Sequence, residues 1–137
     1  MAKILALDVG QKRVGLAISD DLNIIAMPYK TIERVGAILE IKSVIETEGI
    51  ELVVVGLPLL ASGDPGSQAK DIELFTQELR TNIEQKIEYE NEFLTSVEAI
   101  EKLKSSKKKN IAKEEIDQMA AAIILETYIK RIDASSK

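Results

Sequence analysis

Apolar runs separated by short polar turns fill the first third of the chain. Residues 3–9 are apolar except for Lys3 and a carboxylate near the end, which predicts a buried strand. A turn at 10–13 precedes a second apolar run over 14–19, the expected hairpin partner. A third, irregular strand is predicted over 24–32, where Pro28 favours an edge position or a bulge. The pattern therefore predicts a three-stranded antiparallel meander.

The middle of the chain alternates between helical and strand-like patterns. Residues 35–48 carry apolar side chains at helical spacing and are followed by a glycine, which predicts a helix. Residues 52–55 are apolar on both faces, as expected for a strand in the middle of a covered parallel sheet. A flexible loop at 60–66 leads to a predicted helix over 67–83 and a short strand over 87–91. These βα units would extend the meander in parallel.

The last third is predicted to be helical around one basic segment. Thr95 is the expected N-cap of a helix that ends near Leu103, with Glu98 completing a capping box. Residues 104–112 are expected to form a mobile basic loop, and the final helix is predicted over 113–132. Its inward-facing residues would be Ile116, Met119, Ala120, Ile123, Ile124, Thr127 and Tyr128. The prediction is one α/β domain over residues 1–137, with a mixed five-stranded sheet flanked by helices.

The composition restricts the chemistry that this domain can perform. The 137 residues include no cysteine and no histidine. Disulfides, thiolate metal sites, imidazole bases and Ser-His-Asp triads are therefore excluded. Catalysis would have to use carboxylates, lysines, hydroxyls or a hard metal held by oxygen ligands. No secretion signal or membrane span is evident in the sequence, so a cytoplasmic protein is expected.

Charge is unevenly distributed along the chain. The net charge is −5, which argues weakly against a general nucleic-acid coat protein. Basic residues are nevertheless concentrated in one short segment, which holds Lys102, Lys104, Lys107, Lys108, Lys109 and Lys113. Such a segment could bind phosphates locally, although a solvated loop is the commoner explanation of a lysine run.

Three carboxylates occupy positions where acidic residues are not expected. Asp8 lies near the end of the first strand, Glu92 follows the last strand, and Asp117 lies beside the apolar face of the final helix. If that helix crosses the sheet near the end of strand one, the three carboxylates would converge. Like charges 4 Å apart repel by roughly 4 kcal/mol at an effective dielectric constant of 20, so such a cluster needs a cation or raised pKa values. Oxygen ligands select Mg²⁺ or Mn²⁺, and two-metal phosphodiester hydrolysis fits this ligand set.

Each carboxylate also has a simpler explanation. Asp8 could cap the turn at Gly10. Glu92 could be a solvated acid at a strand end. Asp117 could be favoured only by the dipole at the N-terminus of its helix. Their joint placement is what favours a functional site.

Four segments resemble the YqgF family, which comprises Holliday-junction-resolvase-like proteins that are also described as pre-16S rRNA nucleases. Residues 6–15 (ALDVGQKRVG) resemble the family's Asp-x-Gly-x-x-Arg-x-Gly opening. Residues 54–59 (VVGLPL) with 66–69 (GSQA) resemble its Gly-Leu-Pro strand end and glycine loop. Residues 91–99 (NEFLTSVEA) and 116–125 (IDQMAAAIIL) resemble its Asp-Glu-Arg-Leu-Thr and Asp-x-x-Ala-Ala segments. The resemblance covers about residues 3–131 and implies an RNase H-like fold.

The resemblance implies roles for individual residues. Asp8, Glu92 and Asp117 would be catalytic ligands of Mg²⁺ or Mn²⁺. Arg13 and Thr95 would contact the substrate, and a basic loop containing Lys107, Lys108 and Lys109 would flank the cleft. The chain departs from the family at Asn91 and Phe93, where an aspartate and an arginine are usual. That change removes a possible phosphate clamp but keeps the central carboxylate of Glu92.

Four functional hypotheses remain open at this point. The leading one is a metal-dependent endonuclease that matures the 5' end of pre-16S rRNA, with pre-30S particles as possible partners and a monomer or weak dimer in solution. The second is a resolvase of four-way DNA junctions, which would need a dimer. The third is a non-catalytic module that binds nucleic acid or the ribosome. A nucleotide phosphatase related to the actin and sugar-kinase proteins ranks last, because 137 residues cannot supply the second lobe that closes over ATP.

Overall fold

A five-stranded mixed sheet with helices on both faces forms the framework of the protein. The computed structural model describes residues 3–58, 67–91 and 112–135. Its elements are β1 Lys3–Val9, β2 Arg13–Ser19, β3 Ala26–Glu33, α1 Ala37–Glu48, β4 Ile50–Leu57, α2 Ser67–Arg80, β5 Lys86–Asn91 and α3 Lys113–Ser135. The strand order is β3-β2-β1-β4-β5. The predicted helix over 95–103 lies outside the described residues, as does the predicted basic loop over 104–112 except for its last residue.

The sheet has the predicted topology. β1 pairs antiparallel with β2, and β2 with β3, which confirms the meander. β4 is parallel to both β1 and β5, so the most apolar strand does lie inside the parallel part of the sheet. Pro28 lies on the edge strand β3, beside a register shift between Leu16 and Ala17 of β2. Pro28 therefore lies both on an edge strand and beside an irregularity of the strand pairing, as its position in the sequence predicted.

Alternation along β1 divides the core into two layers. Leu5, Leu7 and Val9 pack with residues of α1 and α2 on one face of the sheet. Ile4 and Ala6 pack with α3 on the other face. Because side chains alternate along a strand, Asp8 belongs to the α3 face, in line with Ala6 and Ile4.

Two elements begin later than the sequence pattern predicted. β3 starts at Ala26, because the backbone N–H groups of Ile24 and Ile25 donate to Oδ1 of Asp20 at 2.7 and 2.9 Å and form a turn instead. α1 starts at Ala37, because Gly36 adopts a left-handed conformation with φ of 80°. Val35 is consequently 92% exposed and is not part of the apolar stripe.

The ends of α2 and α3 also differ from prediction. α2 stops at Arg80, three residues early, where Thr81 and Asn82 form a turn. α3 continues to Ser135. Thr127 was wrongly predicted to face inward: it is exposed, and its hydroxyl donates to the Ile123 carbonyl at 2.9 Å. Within the described ranges, no helix has the length and hydrophobicity needed to span a bilayer.

Candidate active site

The candidate site lies on the α3 face of the sheet, near the carboxyl end of β1. Asp8 is partly buried there, directly opposite Gly15 of β2 in the antiparallel pair. Residues opposite each other in such a pair project from the same face. Whatever packs on Gly15 therefore lies beside the Asp8 side chain.

Asp117 of α3 packs on Gly15. A Cβ atom added to Gly15 would overlap the carbonyl group of Asp117 and would lie 3.0 Å from its Cβ atom. Only glycine lets the helix backbone approach the strand this closely. The missing side chain at position 15 thus brings α3 down onto the sheet next to Asp8, and it explains why a glycine stands at this point of an otherwise bulky strand.

Arg13 forms an ion pair with Asp117. Its Nε atom donates to Oδ2 of Asp117 at 2.8 Å, and the two side chains are 28% and 23% exposed. This hydrogen bond raises the pKa of Arg13 above its ordinary value, and the negative charges of Asp117, Glu114 and Glu33 act in the same direction. The guanidinium is therefore a permanent cation beside Asp117, and the substrate contact that the resemblance implies for Arg13 stays a prediction.

A second contact fixes the N-terminal turn of α3 over the meander. Thr31 of β3 pairs with Gly15, and its hydroxyl donates to the carbonyl of Glu114 at 2.7 Å. Together with the Arg13–Asp117 ion pair, this bond attaches the first turns of α3 to both β2 and β3. Thr31 was not singled out from the sequence, because a threonine in an edge strand has no local feature that points to a contact 83 residues away.

Another polar cluster lies under the C-terminal half of α3. The Tyr128 hydroxyl donates to Oε2 of Glu88, and Nε of Arg131 donates to Oε1 of Glu90 at 2.8 Å. Burial, followed by the hydrogen bond to Glu88, raises the pKa of Tyr128 above its ordinary value. Glu90 is only 8% exposed, so Arg131 supplies the partner that a buried carboxylate requires. These contacts fix α3 to β5. Tyr128 faces inward as predicted, but its polar partners were not predicted.

Arg34 was also missed by sequence reasoning. It follows β3 and lies between the β1–β2 turn and α2, where its guanidinium bonds both the Gly10 carbonyl and Asp71. An isolated arginine after a strand gave no periodic signal. Its contacts are formed only when the ends of three elements come together.

Two of the candidate metal ligands lie among the described residues. Asp8 and Asp117 come from different elements to one face of the sheet, and they offer carboxylate oxygens. Glu92, Thr95, Lys107, Lys108 and Lys109 lie outside the described residues. Among the residues that are described, no three acidic side chains lie close enough together to hold a metal.

Comparison with known proteins identifies the family. A family model described as "RuvX: Holliday junction resolvase" matches residues 2–131. The chain is 39% identical over 140 residues to a protein of Sulfurihydrogenibium sp. named "Putative pre-16S rRNA nuclease", and the match covers 100% of this chain and 96% of the relative. A Gloeothece citriformis protein of the same name is 42% identical over 129 residues, or 91% of this chain and 85% of the relative.

Solved structures show the fold class. RuvC of T. thermophilus in complex with a Holliday junction substrate superposes with a TM-score of 0.61 at 13% identity, covering 97% of each chain. A second Thermus thermophilus RuvC structure gives a TM-score of 0.56 at 12% identity and covers 96% of each chain. The predicted RNase H-like fold is thereby confirmed. The match of the family model over nearly the whole chain, with relatives near 40% identity, shows that this protein belongs to the RuvX (YqgF) family.

Proposed function

We propose that this protein is a metal-dependent endonuclease that cleaves phosphodiester bonds in structured nucleic acid. One observation carries the proposal: Asp117 packs on Gly15, and Gly15 is the residue directly opposite Asp8 in the β1–β2 pair. An aspartate from a helix and an aspartate from the central strand are thus held on one sheet face of an RNase H-like fold. Relatives that match nearly the full length of this chain are named as nucleases, which supports the same reaction class.

Asp8, Asp117 and Glu92 form the proposed ligand set. Asp8 and Asp117 both lie on the α3 face of the sheet, which supports the proposal, and Glu92 is assigned from its position in the sequence directly after β5. Bound Mg²⁺ or Mn²⁺ would supply Lewis-acid activation of the attacking water and of the phosphate. The chain itself contributes the fixed carboxylates and, in Arg13, a cation that can contact a phosphate oxygen. Thr95 and the lysines at 107–109 are assigned as further substrate contacts.

The proposed substrate is ribosomal precursor RNA, cleaved in the maturation of the 5' end of 16S rRNA. The support is the name shared by relatives from three organisms that match 91–100% of this chain. A four-way DNA junction is the second candidate, and the description of the matching family model favours it. Precursor RNA, free or in pre-30S particles, and branched DNA are therefore the two substrates to compare.

Single-turnover cleavage with Mg²⁺ tests the proposal. Asp8→Asn and Asp117→Asn should each lower the rate about 100-fold or more, as expected when one group that stabilises transition-state charge is removed. Asp21→Asn is the matched control, because Asp21 lies in the β2–β3 turn at the opposite end of the sheet and its side chain is 82% exposed. Wild-type rates in folded Asp8→Asn and Asp117→Asn proteins would refute the site.

Substrate preference is tested with the same preparation. A precursor RNA fragment spanning the 5' end of 16S rRNA and an immobile four-way DNA junction should be compared at equal concentrations. Faster cleavage of the RNA by a monomer supports rRNA maturation. Paired, symmetric cuts in the junction by a dimer would favour the resolvase.

A further inference from the structure

Arg34 donates hydrogen bonds to two carbonyl groups of the turn that joins β1 to β2. Its Nη1 atom donates to the Gly10 carbonyl at 2.7 Å, and its backbone N–H donates to the Lys12 carbonyl at 2.8 Å. Within the turn, the N–H of Gly10 donates to the Arg13 carbonyl at 2.8 Å. Arg34 therefore contacts both the first and the last residue of the turn at 10–12.

This turn determines how two residues of the proposed site lie relative to each other. Asp8 precedes Gly10 by two residues, and Arg13 is the first residue of β2 after the turn. The turn is also tight: a Cβ atom on Gly10 would lie 2.9 Å from the Arg13 carbonyl oxygen. Any rotation of the Gly10 peptide would therefore be transmitted to the strand ends that carry Asp8 and Arg13.

The Arg34 side chain is itself fixed in place by α2. Its Nη1 and Nη2 atoms each lie 3.2 Å from one carboxylate oxygen of Asp71, an arrangement with two parallel bonds. Its guanidinium carbon lies 4.9 Å from the ring centre of Phe75, one helical turn further along α2. Because α2 packs on the face opposite α3, the support reaches the site from behind the sheet.

We infer that Arg34 is a positioning residue, which sets the geometry of Asp8 and Arg13 by clamping the β1–β2 turn against Asp71. The inference rests on the proposed nuclease function for its catalytic consequence. The Arg34 side chain is only 21% exposed and is hydrogen-bonded to the Gly10 carbonyl and the Asp71 carboxylate, so it supports the turn and does not bind substrate. Lysine keeps the positive charge but cannot form the planar pair of bonds, so Arg34→Lys separates geometry from charge.

The first experiment measures the turn directly and does not depend on activity. Amide hydrogen exchange of Gly10 should become at least about tenfold faster in Arg34→Lys and in Asp71→Asn, since local opening of the turn becomes easier. The amide of Val54, in the middle of the sheet, should be unchanged. Arg80→Lys is the matched control, because Arg80 is also an arginine beside an aromatic ring. Arg80 lies on α2, and its guanidinium carbon is 6.0 Å from the ring centre of Tyr89 on β5, so its replacement should leave Gly10 exchange unchanged. Unchanged exchange at Gly10 in Arg34→Lys would overturn the inference.

The second experiment measures the consequence for the site. At saturating Mg²⁺ and substrate, Arg34→Lys should lower the single-turnover rate about 10- to 100-fold, the usual cost of disturbing the support of a catalytic group. The dependence of substrate affinity on salt should stay as in the wild type. The double variant Arg34→Lys/Asp71→Asn should be no slower than Arg34→Lys alone, because both changes break the same clamp. A smaller salt slope in Arg34→Lys would instead show a direct phosphate contact and contradict positioning.

The two proposals fail in different ways. If Asp8→Asn cleaves as fast as the wild type, the nuclease site is wrong, whatever Arg34 does. If Asp8→Asn is inactive while Arg34→Lys shows fast Gly10 exchange with a wild-type rate, the turn is clamped but the clamp does not position the site. The inference about Arg34 is then overturned and the nuclease proposal stands.

Discussion

Arg13 on β2 donates through Nε to Oδ2 of Asp117 on α3 at 2.8 Å, joining residues 104 positions apart in the chain. Both side chains are about three-quarters buried, and Gly15, two residues from Arg13, lets the backbone of Asp117 approach the sheet. Partly exposed ion pairs contribute little to folding stability. The consequence of this pair is local: a fixed cation lies beside a carboxylate that is proposed to bind metal.

Replacing Arg13 by glutamine should therefore separate metal binding from catalysis. Arg13→Gln removes a positive charge that repels Mn²⁺ and a hydrogen bond that competes for Asp117, so Mn²⁺ affinity should rise about three- to tenfold. Cleavage should slow, because the phosphate contact assigned to Arg13 is lost. Titration calorimetry with Mn²⁺ and single-turnover rates measure the two effects.

Arg131→Gln is the control for Arg13→Gln. Arg131 is also an arginine hydrogen-bonded to a carboxylate through Nε, but its partner is Glu90 on β5. Mn²⁺ affinity should be unchanged in this variant. If Arg13→Gln instead weakened Mn²⁺ binding, the ion pair would be needed to orient Asp117 for the metal. Arg13 would then not compete with Mn²⁺ for Asp117.

Gly15→Ala should displace α3 from the sheet. The added Cβ would overlap the Asp117 carbonyl, and overpacking of this kind usually costs about 1–3 kcal/mol of unfolding free energy. Because a shift of about 1 Å in a catalytic group can cost roughly 100-fold in rate, cleavage should fall by more than the loss of folded protein explains. Urea denaturation and single-turnover cleavage test both statements.

Gly49→Ala provides the comparison for Gly15→Ala. A Cβ at Gly49 meets no atom within 4 Å, but φ is 67°, so alanine should cost about 1–2 kcal/mol through backbone strain alone. The cleavage rate of the folded protein should stay at the wild-type value. Equal stability and activity in Gly15→Ala and the wild type would show that α3 is not seated on β2 as described.

The sequence predicted the sheet because its signals are local. The apolar runs of β1, β2 and β4 and the turn at Gly10 each act within a few residues, and their pairing followed from known topology rules. Ile24 and Ile25 were misassigned because the Asp20 carboxylate, four and five residues away, accepts their backbone N–H groups. An apolar residue in a hydrogen-bonded turn looks like a strand residue in the pattern.

The candidate site was predictable only in part. Asp8 and Asp117 could be singled out, because each carboxylate interrupts or borders an apolar pattern. The contact between Asp117 and Gly15 could not be derived from periodicity, since it depends on how α3 crosses the sheet. The same holds for Arg34, whose partners Gly10 and Asp71 lie 24 and 37 residues away. Long-range polar contacts leave no periodic trace in a single sequence.

The lysines assigned to the substrate should control the salt dependence of binding. If all six lysines of residues 102–113 contacted phosphates, the slope of log K against log salt would be about −5. Lys107, Lys108 and Lys109 changed together to glutamine should reduce its magnitude by about 2–3. Filter binding of the RNA fragment at several salt concentrations gives the slope. The exposed Lys42, Lys70 and Lys86, replaced in the same way, should leave it unchanged, and an equal effect of both sets would indicate only a net-charge effect.

Tyr128 should make stability fall at alkaline pH. It is 3% exposed and its hydroxyl donates to Glu88, so its pKa is raised in the folded state, burial being the larger cause. Below about pH 10 the phenol is protonated in both the folded and the unfolded state, so its full contribution to the unfolding free energy is present. As pH rises above 10, the unfolded chain ionises first, so the unfolding free energy should fall by up to about 1.4 kcal/mol per pH unit. Urea denaturation between pH 9 and 11 should show a shallower decline in Tyr128→Phe, whereas parallel curves for the two proteins would mean that Tyr128 ionises equally easily when folded.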